Sequence, residues 1–125
     1  MDFVINLIKG AVLSLLIFNN TTFATHLHID EDIWVLKGNG IEINSSNLGR
    51  VANIGVINTD FGILVVNTGI SHNHALEVIQ EALKHKSTQV AGAIILRGEP
   101  KYALGAYTFE QNNICLLYTS DAADE

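Results

Sequence analysis

The stretch Val51–Gly69 reads VANIGVINTDFGILVVNTG and decides the fold of this chain. Its two apolar halves, Val51–Asn58 and Gly62–Asn67, are separated by residues that include Asp60, and an Asp followed closely by a Gly suits a tight hairpin turn. The second half is apolar without interruption over four residues, which is typical of a strand buried on both faces. We therefore predict a hairpin whose second strand lies inside a sheet.

A helix and a further strand are predicted directly after this hairpin. Ser71 is suited to cap the helix, because its hydroxyl accepts from an otherwise unpaired backbone N–H. Val90–Leu96 is the next apolar strand, and a helix between two apolar strands indicates a parallel crossover. Over residues 72–86 the predicted inner face comprises Ala75, Leu76, Ile79, Ala82 and Leu83, and the outer face comprises Glu77, Gln80, Glu81 and Lys84.

Shorter elements are predicted on both sides of this unit. Upstream, Ile33–Leu36 is β-rich and contains Trp34, which we expect in the core, and Ile41–Ile43 is a candidate hairpin partner for it. Downstream, Ala103–Gln111 has helical character, and the side chains expected to face inward are Leu104, Tyr107 and Phe109. No internal repeat or interdomain linker is evident, so one incomplete α/β domain is expected over residues 25–114.

The order of these parts resembles the opening of the metallo-β-lactamase superfamily, over roughly residues 30–112. Within it, the closest resemblance is to the exported quinoprotein relay system zinc metallohydrolases, in which the second strand ends in Asp-Thr-Gly and a helix and a strand precede the zinc motif His-x-His-x-Asp-His. The corresponding residues here are Asn67-Thr68-Gly69. The resemblance implies the N-terminal half of an αββα sandwich, with the C-terminal half of the domain missing.

The zinc ligands of the family are replaced in this sequence. With Pro100 and Gly105 as fixed points, the family pattern puts Arg97 and Glu99 at the first two histidines, Lys101 at the aspartate and Tyr102 at the last histidine. A guanidinium and an ammonium have no lone pair to offer a cation, and Asn67 replaces the motif aspartate. We therefore expect no metal ligands, no catalytic residues and no cofactor in this chain, although members of the family bind zinc. Glu99 alone could ligate, and a salt bridge with its cationic neighbours is the favoured interpretation.

The resemblance implies an exported, zinc-less protein with a binding or accessory role beside quinoproteins. The alternative is the N-terminal part of a metal-dependent hydrolase with a rearranged metal site, and a third possibility is a decayed gene. Arg97, Glu99, Lys101 and Tyr102 either line a pocket at the sheet edge that holds an anionic ligand or form a solvated loop of paired charges. The partner and the substrate stay unknown at this stage.

Both ends of the chain resemble segments outside the domain. Residues 1–24 contain a short apolar run after Lys9 and small residues before Thr25, which predicts a secretory signal peptide and a secreted or periplasmic product, or a membrane contact through an uncleaved leader. Residues 115–125, CLLYTSDAADE, resemble translated read-through of a transposase-type sequencing adapter, which predicts a non-native tail. The alternative for the tail is a short strand, Ile114–Tyr118, followed by an acidic end.

Composition excludes several classes of function. Residues 25–114 carry six Lys/Arg and nine Asp/Glu, a net charge of about −3 against −6 for the whole chain, and no basic cluster, so nucleic-acid binding is not expected. The single cysteine is Cys115, so the predicted domain has no thiolate chemistry. Asn67-Thr68-Gly69 also resembles the loop of aspartic proteases, but that chemistry needs a pair of carboxylates.

The five histidines of the chain are candidate ligands. His26 and His28, followed by the acidic residues 30–32, form either a metal site or, as the favoured interpretation, a flexible hydrated leader. His72, His74 and His85 flank the predicted helix, and without partners in the sequence they are expected at the surface.

Overall fold

The computed structural model describes residues 25–85 and 89–119. The predicted signal peptide, residues 1–24, lies outside them, as do residues 120–125 of the predicted tail. Within the described ranges the elements are β1 (His26–Asp30), β2 (Ile33–Leu36), β3 (Ile54–Thr59), β4 (Gly62–Val66), α1 (His72–Ala82), β5 (Val90–Ile95), α2 (Pro100–Ala103), α3 (Ala106–Gln111) and β6 (Cys115–Tyr118).

Six strands of the described part form one mixed sheet in which the spatial order is the chain order, β1 to β6. The pairs from β1 to β4 are antiparallel, whereas β4–β5 and β5–β6 are parallel. The predicted hairpin and the predicted helical crossover are therefore confirmed, and so is the α/β fold class.

The β3–β4 hairpin closes through Thr59. Its hydroxyl donates to the Gly62 carbonyl at 2.6 Å and accepts from the Phe61 N–H at 3.2 Å. Gly62 has φ 121°, a backbone conformation that side chains disfavour, which explains why glycine ends this turn.

Helix α1 begins as predicted, since the Ser71 hydroxyl accepts from the His74 N–H at 3.2 Å. Its faces differ from the prediction at Leu76, Glu81 and Leu83. Leu76, expected inside, is only partly buried. Glu81, expected outside, is only 3% exposed, whereas Leu83, expected inside, is 40% exposed because the helix ends at Ala82. The buried face of α1 consists of His74, Ala75, Val78, Ile79, Glu81 and Ala82.

The core lies between one face of the sheet and helices α1 and α3. Val56 and Val65 pair across the centre of that face and are fully buried, and Phe109 of α3 is buried beside them. Trp34, expected in the core, is partly buried and packs against its edge.

The second face of the sheet is also apolar. Strand register aligns Ile33, Ile57 and Leu64 in one row across this face, and Val35, Val66, Ile94 and Leu117 in the next. The apolar buried residues of α1 and α3 all pack against the first face of the sheet. Within the described part of the chain, the architecture is therefore a sheet with helices on one side, as half of an αββα sandwich would be.

Two predictions upstream of this unit are wrong. Ile41–Ile43 forms no strand, and the partner of β2 is instead β1, which begins at His26. The interpretation of His26 and His28 as a flexible leader is wrong for the same reason, because both histidines lie in the paired strand β1. The stretch His26–Asp30 alternates polar and apolar residues, so the sequence does carry a strand signal there, which the interpretation as a leader overlooked.

The predicted helix Ala103–Gln111 is divided into α2 and α3 at Gly105. Phe109 faces the core as predicted, whereas Leu104 and Tyr107 are 60% and 67% exposed, which contradicts the prediction for both. The break at Gly105 rotates α3 relative to α2, so a single helical register does not describe the segment.

The start of the predicted tail forms a strand. β6 (Cys115–Tyr118) pairs in parallel with β5, which is the strand that the alternative interpretation of the tail required. The adapter origin of residues 115–125 stays a prediction. Among the described helices, none is long and apolar enough to cross a membrane.

Candidate functional site

The candidate site lies where the parallel strands β4 and β5 end side by side. Asn67 follows β4, and Leu96 and Arg97 follow β5, so their side chains share one edge of the sheet. Loops at the carboxyl ends of parallel strands are where α/β proteins build their sites. The sequence-predicted residues Asn67, Arg97, Glu99, Lys101 and Tyr102 are all brought to this edge.

Asn67 joins the two strand ends. Its backbone N–H donates to the Ile94 carbonyl at 2.7 Å, and its side-chain Oδ1 accepts from the Leu96 N–H at 3.2 Å. Its φ of 72° lies in the left-handed region, which Asn tolerates better than most residues. Asn67 therefore fulfils a structural role that an Asp would also fulfil, through a side-chain oxygen.

Thr68 and Gly69 hold the segment that follows β5. The Thr68 N–H and hydroxyl both donate to the Tyr102 carbonyl, at 2.8 and 3.0 Å, and the Gly105 N–H donates to the Gly69 carbonyl at 2.9 Å. These bonds fix α2 against the end of β4. The backbone frame of the site is therefore set by the Asn67–Gly69 loop, independently of the side chains that α2 carries.

The charged side chains of the site pair with one another, as the salt-bridge interpretation predicted. Glu99 Oε1 lies 3.4 Å from Arg97 Nε, and Glu99 Oε2 lies 3.0 Å from Lys101 Nζ. The hydrogen bond from Lys101 holds the pKa of the Glu99 carboxyl below its usual value and raises the pKa of the Lys101 ammonium. The Lys101 nitrogen also lies 5.0 Å from the centre of the Tyr102 ring.

These residues do not fit a zinc ion. Zinc sites use neutral imidazoles, thiolates and carboxylates as ligands. Arg97 and Lys101 supply only positive donors, and both oxygens of Glu99 are already engaged by them. Across the described ranges, no group of three or more His, Cys, Asp or Glu side chains is arranged to hold a metal ion.

An open cleft of about 450 Å³ lies over this edge of the sheet. One wall is formed by the loop between β2 and β3, and the other by the ends of β4 and β5 and by α2. The loop contributes Gly40, Ile41, Val51, Ala52 and Asn53, and the opposite wall consists of Asn67, Leu96, Arg97, Lys101 and Tyr102.

Sequence reasoning missed the wall formed by this loop. Asn53 belongs to the apolar stretch predicted as a strand, but the strand begins only at Ile54, and only the fold brings Ile41 and Asn53 to the same cleft as Arg97. The loop is held by Asn47, which is buried and whose amide donates to the carbonyls of Asn39 and Glu42, at 3.0 and 2.8 Å. The Asn44-x-x-Asn47 spacing is the signal that indicates an ordered loop there.

Of the histidines, His74 lies against the loop at this edge, where a Cβ placed on Gly69 would be 2.8 Å from its Nδ1, whereas His26 and His85 contact each other elsewhere. His26 and His85 have ring centres 5.6 Å apart, and the His85 ring stacks on Trp34 at 4.1 Å. His72 is exposed, as predicted, and bonds to the Thr108 hydroxyl at 2.9 Å. The expectation of a surface position is wrong for His74, which is 7% exposed and whose Nδ1 accepts from the Ile70 N–H at 3.3 Å.

Solved structures with the same arrangement of elements are metallo-β-lactamases. The FIM-1 metallo-β-lactamase from Pseudomonas aeruginosa, in its mono-zinc form, is similar over 78% of this chain, with a TM-score of 0.65 and 14% identity. The DIM-1 metallo-β-lactamase, exposed to ceftazidime, is similar over 78%, with a TM-score of 0.62 and 14% identity. The chain has part of a metallo-β-lactamase fold. It spans 42% and 43% of the length of these two proteins.

A protein of a different enzyme class has a similar structure. The sec-alkyl sulfatase PisA1, as a double mutant, is similar over 81% of this chain and 16% of its own length, with a TM-score of 0.60 and 12% identity. No family model matches the sequence, and no curated protein matches it. At these identities the likeness concerns the fold alone.

Proposed function

We propose that this chain is the N-terminal part of an exported protein of metallo-β-lactamase fold that has lost its zinc ligands. Its role would be binding or accessory, beside the quinoprotein-associated metallohydrolases that its sequence resembles. One observation carries the proposal. The carboxylate of Glu99, at the place where the family binds zinc, is engaged through both oxygens by Arg97 and Lys101.

The chemistry of this charge cluster opposes a metal-dependent reaction. A zinc ion at this place would be repelled by two cations and would have to displace both of them from Glu99. Zinc hydrolases rely on the ion to lower the pKa of its bound water. Without a zinc ion, the site still has a cleft and a set of hydrogen-bond donors. These features support ligand binding.

Zinc analysis of the purified full-length protein tests the proposal. We expect well below about 0.1 equivalents of zinc after incubation with the metal, where a structural or catalytic site would retain about one. The matched control is the quadruple variant Arg97→His, Glu99→His, Lys101→Asp, Tyr102→His, which restores the family pattern on the same backbone frame and is expected to retain more zinc than the wild type.

N-terminal sequencing of the exported protein tests the proposed export, and the mature chain is expected to begin at Thr25.

The contrary result is specific. About one zinc equivalent in the wild type, lost in Glu99→Gln, would overturn the proposal and favour a hydrolase with a rearranged metal site. Zinc retained by Glu99→Gln would place the ligands elsewhere in the full-length protein and would equally overturn it.

A further inference from the structure

The cleft over the ends of β4 and β5 presents hydrogen-bond donors and no acidic side chain. Arg97 and Lys101 line it, and Glu99, which pairs with both, does not. Two cations against one carboxylate leave one positive charge uncompensated at the cleft wall. Among the described residues that line the cleft, none is Asp or Glu.

Asn67 adds a neutral donor to the same cleft. Its Oδ1 accepts from the Leu96 N–H, and an amide has its acceptor and its donor at opposite ends. The Nδ2 group has no hydrogen-bond partner in the described part of the chain and belongs to a residue that lines the cleft. An Asp at this position would accept the same bond and would present a second carboxylate oxygen in place of the donor.

Arg97 keeps most of its donors free. Within the described part of the chain only its Nε is paired, with Glu99 at 3.4 Å, and the side chain is 67% exposed. The two terminal nitrogens of a guanidinium match the two oxygens of a carboxylate in a planar, bidentate pair. Arg97 and the Asn67 amide lie on the same wall of the cleft, so one anion can reach both.

The opposite wall is apolar apart from Asn53. Val51 and Ala52 line it, and Ile41 at its rim is 97% exposed, an unfavourable position for a large aliphatic side chain. A ligand that carries a hydrocarbon body would cover this surface while its charged end meets the donors.

We propose that this cleft binds a small organic anion, a carboxylate with an apolar body, through Arg97, Lys101 and the Asn67 amide. The inference rests on the proposed binding role and names the ligand class for it. The recognition is electrostatic at one end of the ligand and hydrophobic at the other, so neither a free inorganic anion nor a neutral amphiphile satisfies both walls.

Isothermal titration calorimetry with hexanoate tests this on the full-length protein, with hexanol as the neutral probe of the same chain length. We expect hexanoate to bind and hexanol to give no heat at the same concentrations. Arg97→Gln is expected to weaken hexanoate binding about tenfold, the size of one lost charged hydrogen bond. Asn67→Asp should weaken it more, because it replaces a donor by a like charge while keeping the bond to Leu96.

Lys37→Gln is the matched control. It removes one exposed cation that does not line this cleft, and it should leave hexanoate affinity within about twofold of the wild type. Unfolding midpoints in urea show whether each variant is folded, and Asn67→Asp is expected to keep its midpoint.

The outcomes separate this inference from the proposed function. No hexanoate binding, or binding insensitive to both Arg97→Gln and Asn67→Asp, overturns the anion site, and the zinc-less role then stands on the zinc measurement alone. Zinc in the wild type with hexanoate binding that a chelator abolishes overturns both. Binding that the two variants weaken in a zinc-free sample supports both.

Discussion

Gly105 approaches the backbone of Thr68 more closely than a side chain permits. A Cβ placed on Gly105 would lie 2.0 Å from the Thr68 carbonyl oxygen, well inside contact distance. Since that carbonyl belongs to a buried loop, the backbone would have to move. We expect Gly105→Ala to lower the free energy of unfolding by about 1–3 kcal/mol, as overpacking does, measured by urea unfolding.

Leu104→Ala is the control for Gly105→Ala. Leu104 is adjacent in sequence and 60% exposed, so its truncation is expected to change stability by only about 0.5 kcal/mol. Equal effects of the two variants would show that the close approach of Gly105 to Thr68 is not what fixes α2. The same clash explains why glycine stands at this position even though the zinc ligands around it are replaced.

At the scale of elements, Arg50 attaches the β2–β3 loop to helix α1. Its Nε donates to Glu77 Oε2 at 2.7 Å, and its Nη2 donates to the other oxygen of the same carboxylate. This hydrogen bonding raises the pKa of Arg50. We expect a double-mutant cycle of Arg50→Ala and Glu77→Ala to give a coupling energy of about 1 kcal/mol, between the values for exposed and buried pairs.

The pair Lys101–Glu99 provides the comparison. It is similarly exposed, but Lys101 reaches its carboxylate through one nitrogen, and its cycle is expected to show a smaller coupling than that of Arg50 and Glu77. A larger coupling for Lys101–Glu99 would contradict the view that the bidentate geometry of Arg50–Glu77 strengthens it. Both cycles are measured by urea unfolding at the same ionic strength, since salt screens exposed pairs.

The elements that the sequence predicts correctly are those with a local cause. The β3–β4 hairpin follows from its turn residues, and α1 begins at Ser71 because of one side-chain cap. The prediction put Glu81 on the outer side of α1 because one of its partners is remote in sequence: besides pairing with Lys84 three residues on, the carboxylate lies 3.0 Å from His26 Nε2 of β1.

The candidate site likewise has one part that the sequence predicts and one part that it does not. The residues after β5 were predicted at one edge because parallel strands end together, and the pairing of Glu99 with its neighbours follows from their short separation in sequence. The wall that contains Ile41 was not predicted, since it depends on a long loop whose position is fixed by tertiary contacts. Charge pairing and strand order can be predicted from a sequence, whereas the path of an irregular loop cannot.

The molecule as a whole should lose stability in mild acid. Burial lowers the pKa of His74, with a further lowering by Arg50 and an opposing effect of Glu77. Burial also lowers the pKa of His85, with His26, His28 and Lys84 acting in the same direction and Glu81 against it. Below the unfolded value of 6.5 the unfolded chain takes up protons that the folded chain does not, so stability falls as pH drops from there toward the lowered values.

Urea unfolding at about pH 7.5 and about pH 5.5 measures this loss, in the range where histidines titrate. The double variant His74→Asn, His85→Asn is expected to show a smaller difference between the two pH values than the wild type. Asn73→Ala, at an exposed position of the same helix, should keep the wild-type difference. A wild type more stable at the lower pH, or an unchanged difference in the double variant, would contradict the assignment to these two histidines.

The order of the sheet has a consequence for how this protein folds. Every strand from β2 to β6 pairs with the strand that precedes it in the chain, and none waits for a distant partner. During synthesis, which proceeds from the N-terminus, each new strand therefore meets an edge that is already present. Hairpins form within microseconds, so β1 to β4 can assemble first, and the slower parallel step to β5 follows on a finished template.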